Sequence, residues 1–123
     1  MGCYKVMLEG RCFLAKTEKE EEIVGFFATI GISATTRQEF FEKIESGLNG
    51  VIEANSLNVL RESLKKSFCK ISAVYVVEGT NDFAGLGGIT LFSESALQPI
   101  LANFIRIYLS VVKPHELVNI KRD

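Results

Sequence analysis

The chain has 123 residues, enough for one domain that buries roughly two-thirds of its unfolded surface without a metal or disulfide. Hydrophobic residues make up 47% and charged residues 24%, the ordinary globular range. The net charge of −1, from 14 basic and 15 acidic side chains, argues against a nucleic-acid binder, which needs a basic stripe to neutralise phosphates.

In chain order, Tyr4, Val6 and Leu8 alternate with Lys5, Met7 and Glu9. This period of two predicts a first strand, with Gly10 marking a bulge or bend before it continues through RCFLA. The charged segment KTEKEEE, residues 16–22, suits an exposed hairpin connection. EIVGFFATIGISA then predicts a second strand. Val24, Phe26, Ala28, Ile30, Ile32 and Ala34 share its apolar face, and Gly25, Phe27, Thr29, Gly31 and Ser33 share the other.

Thr36 stands three residues before Glu39, the capping-box spacing, so a helix is expected to start there. Its stripe is Phe40, Phe41, Ile44, Leu48, Val51 and Ile52. Gly47 and Gly50 weaken it, so an end or bend is expected near Asn49 and Gly50. Leu57, Leu60 and Leu64 suggest a further helical stretch. ISAVYVVE, residues 71–78, predicts a third strand, followed by turn formers at Gly79 to Asp82. Ile89 to Phe92 predicts a short fourth strand. A last helix, capped by Ser93 or Ser95, runs to about Val112 before Pro114.

This order predicts a single α+β domain over residues 1–123. Two β-hairpins are joined by a helical crossover (β-β-α-β-β-α), in an antiparallel or mixed sheet with the helices packed on one face. In the last helix, the polar positions Asn103, Arg106, Ser110 and Lys113 form one narrow stripe and the remaining arc is apolar. Such a helix is either sunk between the sheet and another helix, or covers the sheet with one flank and docks a second chain with the other. It is too short for the ~20 residues of a membrane span.

No residue set points to catalysis. His115 is the only histidine and has only the sequence neighbour Glu116 beside it, which excludes HExxH-type metal motifs. Cys3, Cys12 and Cys69 are odd in number and lack CxxC spacing, so they read as reduced structural thiols and predict neither disulfide nor zinc. GLGG at residues 85–88 precedes a strand, whereas a phosphate loop precedes a helix, so it reads as a turn. The start MGCYKVMLEG has neither a signal-peptide core nor, with Val6 in sixth place, a myristoylation pattern; a cytoplasmic protein is expected.

YKVMLEGRCFL, VGFFATIGISA with TTRQEFFEKI behind it, CKISAVYVVEG and GITLFSE together resemble a group of small bacterial α+β proteins. That group has a YxVxLxGxNFL strand, a GFF-like strand ending in alanine, a helix, and a glycine-led closing strand. The resemblance covers roughly residues 4–93, with Cys12 at the Asn-like position and Ile30 where the group often has Arg. In size and character the chain is also similar to immunity proteins of bacterial polymorphic toxin systems, including contact-dependent inhibition.

The functional expectation is a non-catalytic protein-binding module with no cofactor, namely a cytoplasmic immunity protein that neutralises a toxin domain. Glu18, Glu20, Glu21, Glu22, Glu42 and Glu45 would meet a basic partner such as a nuclease, joined by Phe27 and Arg106. A homodimer through the last helix accompanies this expectation. The alternative is a small-ligand-binding or sensory homodimeric module, with the ligand between Phe26, Phe27, Phe92 and Tyr75.

Overall fold

The computed structural model describes residues 2–16, 21–62, 65–77, 89–93, 98–118 and 120. The first two strands, β1 (Gly2–Lys16) and β2 (Glu21–Ala34), form the expected long antiparallel hairpin. Helix α1 (Arg37–Ala54) follows, then three two-residue strands, β3 (Asn58–Val59), β4 (Arg61–Glu62) and β5 (Lys65–Lys66). The chain continues through β6 (Phe68–Val76), β7 (Ile89–Ser93), helix α2 (Gln98–Val112), a 3₁₀ turn (Pro114–Glu116) and β8 (Leu117–Val118).

The domain is therefore α+β with an antiparallel sheet, in the order β7-β2-β1-β6-β8, and β3 pairs the far part of β1. The expected second hairpin does not form. β6 pairs β1, whereas β7 pairs β2 on the other side of the hairpin, so two strands adjacent in sequence sit at separate places in the sheet.

The β2 alternation sets the main core. Val24, Phe26, Ala28, Ile30, Ile32 and Ala34 are all buried, and they meet Ile44, Leu48 and Ile52 of α1 and Val6 and Leu8 of β1. Each fully buried Val, Leu, Ile or Phe among them contributes about 1.5–3 kcal/mol relative to exposure. Tyr4, Phe40 and Phe41 extend the cluster through edge-to-face ring contacts with centroids 5.2 and 5.4 Å apart.

Thr36 caps α1, its Oγ1 accepting from the Glu39 N–H at 3.1 Å. The carboxylate does not complete the box. Glu39 instead accepts from the Thr35 hydroxyl and pairs with Lys43, both at 3.1 Å, and these contacts hold its pKa below the usual carboxylate value, Lys43 contributing most. α1 runs unbroken through Gly47 and Gly50. At Gly47 the helix packs tightly on the sheet, since a Cβ there would lie 2.8 Å from Cδ1 of Ile30.

The helix stops at Ser56, in the left-handed region at φ 53°. The Ser56 N–H donates to Glu53 C=O at 3.1 Å and the Leu57 N–H to Ile52 C=O at 3.0 Å, the Schellman pattern. Leu57 is then buried against the same core as Ile52. This stop replaces the helix expected over residues 57–64: the described residues there form β3 and β4.

The β1 irregularity falls between Gly10 and Phe13, where one extra residue enters β1 opposite β2. Cys12 takes the left-handed conformation, φ 63°. Gly10 pairs Phe26, whose ring lies so close that a Cβ would collide with it. Ser67 braces the bulge: its hydroxyl donates to Cys12 C=O and accepts from the Leu60 N–H at 2.7 Å.

The two helices do not share a face. Phe13 and Cys69 belong to the α1 core, whereas their strand neighbours Cys12 and Phe68 pack with Ala102 and Leu109 of α2. Adjacent strand residues point to opposite faces, so α2 caps the far face at its Cys12–Phe68 end. Lys5, Met7 and Glu9 of β1 and Gly31 of β2 lie on that same far face by alternation, and none of them is buried.

Candidate functional site

The described residues hold no assembled catalytic set. His115 is exposed in the 3₁₀ turn. Cys12 and Cys69 are buried and Cys3 half-buried, all three as free thiols. Burial, and next the Glu9 carboxylate, push the Cys69 thiol pKa far up, which removes the thiolate a nucleophile needs. Among the described residues no group of three His, Cys, Asp or Glu side chains could hold a metal ion. The GLGG segment lies outside the described residues.

The expected partner-binding residues are spread over the fold. Glu42 is exposed on α1 and accepts from Gln38 at 3.1 Å, with Glu45 half-buried on the same helix. Glu21 and Glu22 begin β2 at the hairpin end, where Glu22 accepts from the Ser93 hydroxyl. Glu18 and Glu20 lie outside the described residues. Phe27 is 42% exposed on the face away from α1. Arg106 is on α2, half-buried. The carboxylates of α1 and the ring of Phe27 therefore occupy opposite faces of the sheet.

The expected ligand lining also separates. Phe26 is fully buried under α1, so it cannot share a surface with its neighbour Phe27. Phe27 packs instead on Phe92, ring centroids 5.3 Å apart, with the Arg11 guanidinium 5.8 Å from the Phe92 centroid. Tyr75 is on the same face but pairs Lys5, four positions along β1 from Glu9, the partner of Phe27. That spacing is about 13 Å along a strand.

The unusual surface is on α2, and its orientation is the reverse of an ordinary surface helix. Ala102, Asn103 and Leu109 are buried, whereas Leu101, Phe104, Ile105, Ile107, Tyr108, Val111 and Val112 are exposed. Phe104 is 65% and Val111 77% exposed. Of the polar stripe, Asn103 and Arg106 turn inward while Ser110 and Lys113 stay exposed, and Arg106 satisfies Asn103 there: the Asn103 Oδ1 accepts from Arg106 Nη2 at 2.8 Å and Nε at 3.3 Å. These seven side chains expose on the order of 700 Å² of apolar surface, above the roughly 300–600 Å² of the largest patch on a typical monomer and near the ~800 Å² per partner of a standard interface.

Sequence periodicity identified which α2 residues share an arc but not which arc meets the sheet. Arg61 and Lys66, which line one cleft with Arg106, were hidden by the helical reading of their segment; the signal in the sequence was the clustering of Arg61, Lys65 and Lys66. Among the described residues no helix is long and apolar enough to cross a membrane. Compared with protein-family models, curated proteins and solved structures, the chain matches none.

Proposed function

We propose that this chain is a non-catalytic protein-binding module, and specifically a cytoplasmic immunity protein that binds and neutralises a cognate bacterial toxin domain. The observation that carries the binding role is the outward apolar arc of α2, whose exposed apolar area is close to that of one side of a standard interface. The α1 carboxylates Glu42 and Glu45, with Glu21 and Glu22 at the hairpin end, supply negative charge that would speed association with a basic partner such as a nuclease. The resemblance to toxin-immunity proteins in size and character supports the choice of partner by analogy.

The test is co-expression with the product of the neighbouring open reading frame, followed by purification through a tag on this chain. A toxic neighbour is retained with sub-micromolar affinity, and retention weakens at least about tenfold when Phe104→Glu and Val111→Glu are combined. A neighbour that is neither toxic nor retained sinks the immunity reading. Retention unaffected by the double substitution removes α2 from the interface.

A second reading, a small-ligand-binding or sensory homodimeric module, is favoured by the spacing of Leu101, Phe104, Tyr108 and Val111. Steps of three, four and three residues form a coiled-coil-like seam that a second copy of the same helix could meet. Light scattering of the lone chain separates the two: a dimer that dissociates in the double variant supports self-association, and a monomer leaves the arc for a different protein.

A further inference from the structure

Between the β4–β5 ribbon, the start of β6, α2 and β8 lies a cleft of about 410 Å³. Arg61, Lys66 and Arg106 line it, and among the described residues no acidic side chain does. Arg61 and Lys66 are paired across the β4–β5 ribbon, and the tertiary fold brings Arg106 of α2 to the same recess. Lys66 and Arg106, like charges at one recess, repel, and an anion placed between them removes that cost.

Arg106 is the best prepared of the three. An arginine on a surface helix ordinarily points to water, but here it is half-buried and turned inward. Asn103, only 7% exposed, fixes it by accepting from Nε and Nη2. A guanidinium carries five N–H donors, so three remain beyond those given to Asn103. Among the described residues no carboxylate pairs with Arg106. A fixed fork with free donors, facing a recess, is the geometry that binds carboxylate and phosphate oxygens. The cleft volume lies within the ~300–1,000 Å³ of small-molecule sites.

We propose that this cleft binds a small multivalent anion, a phosphate- or carboxylate-bearing molecule, through Arg106 and Lys66 with Arg61 beside them. The site is separate from the outward apolar arc of α2 and stands whether or not a protein docks there.

The test is an amide-resolved NMR titration of the full chain with two probes, inorganic pyrophosphate and citrate. Saturable shifts are expected at Ser67, Phe68, Arg106 and Val118, weakening as sodium chloride is raised. Affinity should fall at least about tenfold in Arg106→Gln and in Lys66→Gln. Tighter binding of pyrophosphate assigns the site to phosphate compounds, and tighter binding of citrate to carboxylates. Absence of saturable shifts up to ~10 mM of both probes overturns the proposal, as does binding unchanged by the substitutions. Lys66 is exposed, so Lys66→Gln decides the matter even if Arg106→Gln fails to fold.

Discussion

Asn103 and Arg106, one turn apart on α2, are joined by two hydrogen bonds at 2.8 and 3.3 Å, and both face the protein. The pair explains why a helix with so apolar a sequence turns its greasy side to solvent. An inward Arg106 without Asn103 would lose its anchor, and an inward Asn103 without Arg106 would be a buried amide oxygen short of a donor. Asn103→Ala is therefore expected to cost about 1–2 kcal/mol, measured as a shift in the urea midpoint at unchanged slope. A variant as stable as the parent would show that the pair does not orient the helix.

The orientation of α2 has a second, sharper consequence. Leu109 is 5% exposed and Phe104 65% exposed, on the same helix. Leu109→Ala should cost about 2–4 kcal/mol through the cavity it leaves. Phe104→Ser should change stability by less than ~0.5 kcal/mol, since the ring packs little and the two residues have similar helix propensity. Urea unfolding of both variants distinguishes the arrangement from its inverse, in which the costs would be exchanged.

The end of α1 is strained in a way that one substitution relieves. Ser56 holds φ 53° at the position after the helix cap, where glycine is the usual residue. It is exposed, and its role in the Schellman pattern is played by its backbone. Ser56→Gly should stabilise the domain by about 0.5–1 kcal/mol, the steric relief outweighing the greater freedom of glycine in the unfolded chain. Thermal unfolding followed by circular dichroism reads the effect, and a lower melting temperature would contradict this account.

The same serine shows where the sequence becomes hard to read. The alternation in β1 and β2 and the stripe of α1 each span enough residues for their period to be unmistakable, and their burial follows it position by position. The stop at Ser56 carries no Gly or Pro, so Leu57, Leu60 and Leu64 look like a continuing helix. The separation of β6 from β7 was invisible for another reason. A hairpin is the default for neighbouring strands, but β7 pairs the free edge of β2 by a contact spanning some sixty residues, from Ala28 to Ile89, which no local pattern encodes. On α2, periodicity grouped Asn103 with Arg106 correctly, but whether a polar stripe faces water or the protein depends on whether its groups satisfy one another.

Cys69 yields a pH dependence whose sign follows from its surroundings. The thiol sits fully buried in the α1 core, and burial, followed by the charge of Glu9, raises its pKa well above the ordinary 9.0. In the unfolded chain the thiol ionises near its ordinary value, while the folded chain keeps the proton. Above pH 9 the native state therefore binds more protons than the unfolded state, and stability falls as pH rises. This single group removes up to about 1.4 kcal/mol per pH unit in that range, and its contribution is fully present below pH 9. Between pH 8 and 10.5 the urea midpoint of the parent should drop more steeply than that of Cys69→Ala, whose baseline stability is lower but whose slope lacks this component. Alkylation followed by mass spectrometry gives an independent reading at pH 8. Cys3, half-buried, should label first in the native chain, with Cys69 labelling only as fast as the domain opens. Rapid native labelling of Cys69, or parallel pH slopes in parent and variant, would mean that the thiol is not held protonated by the core.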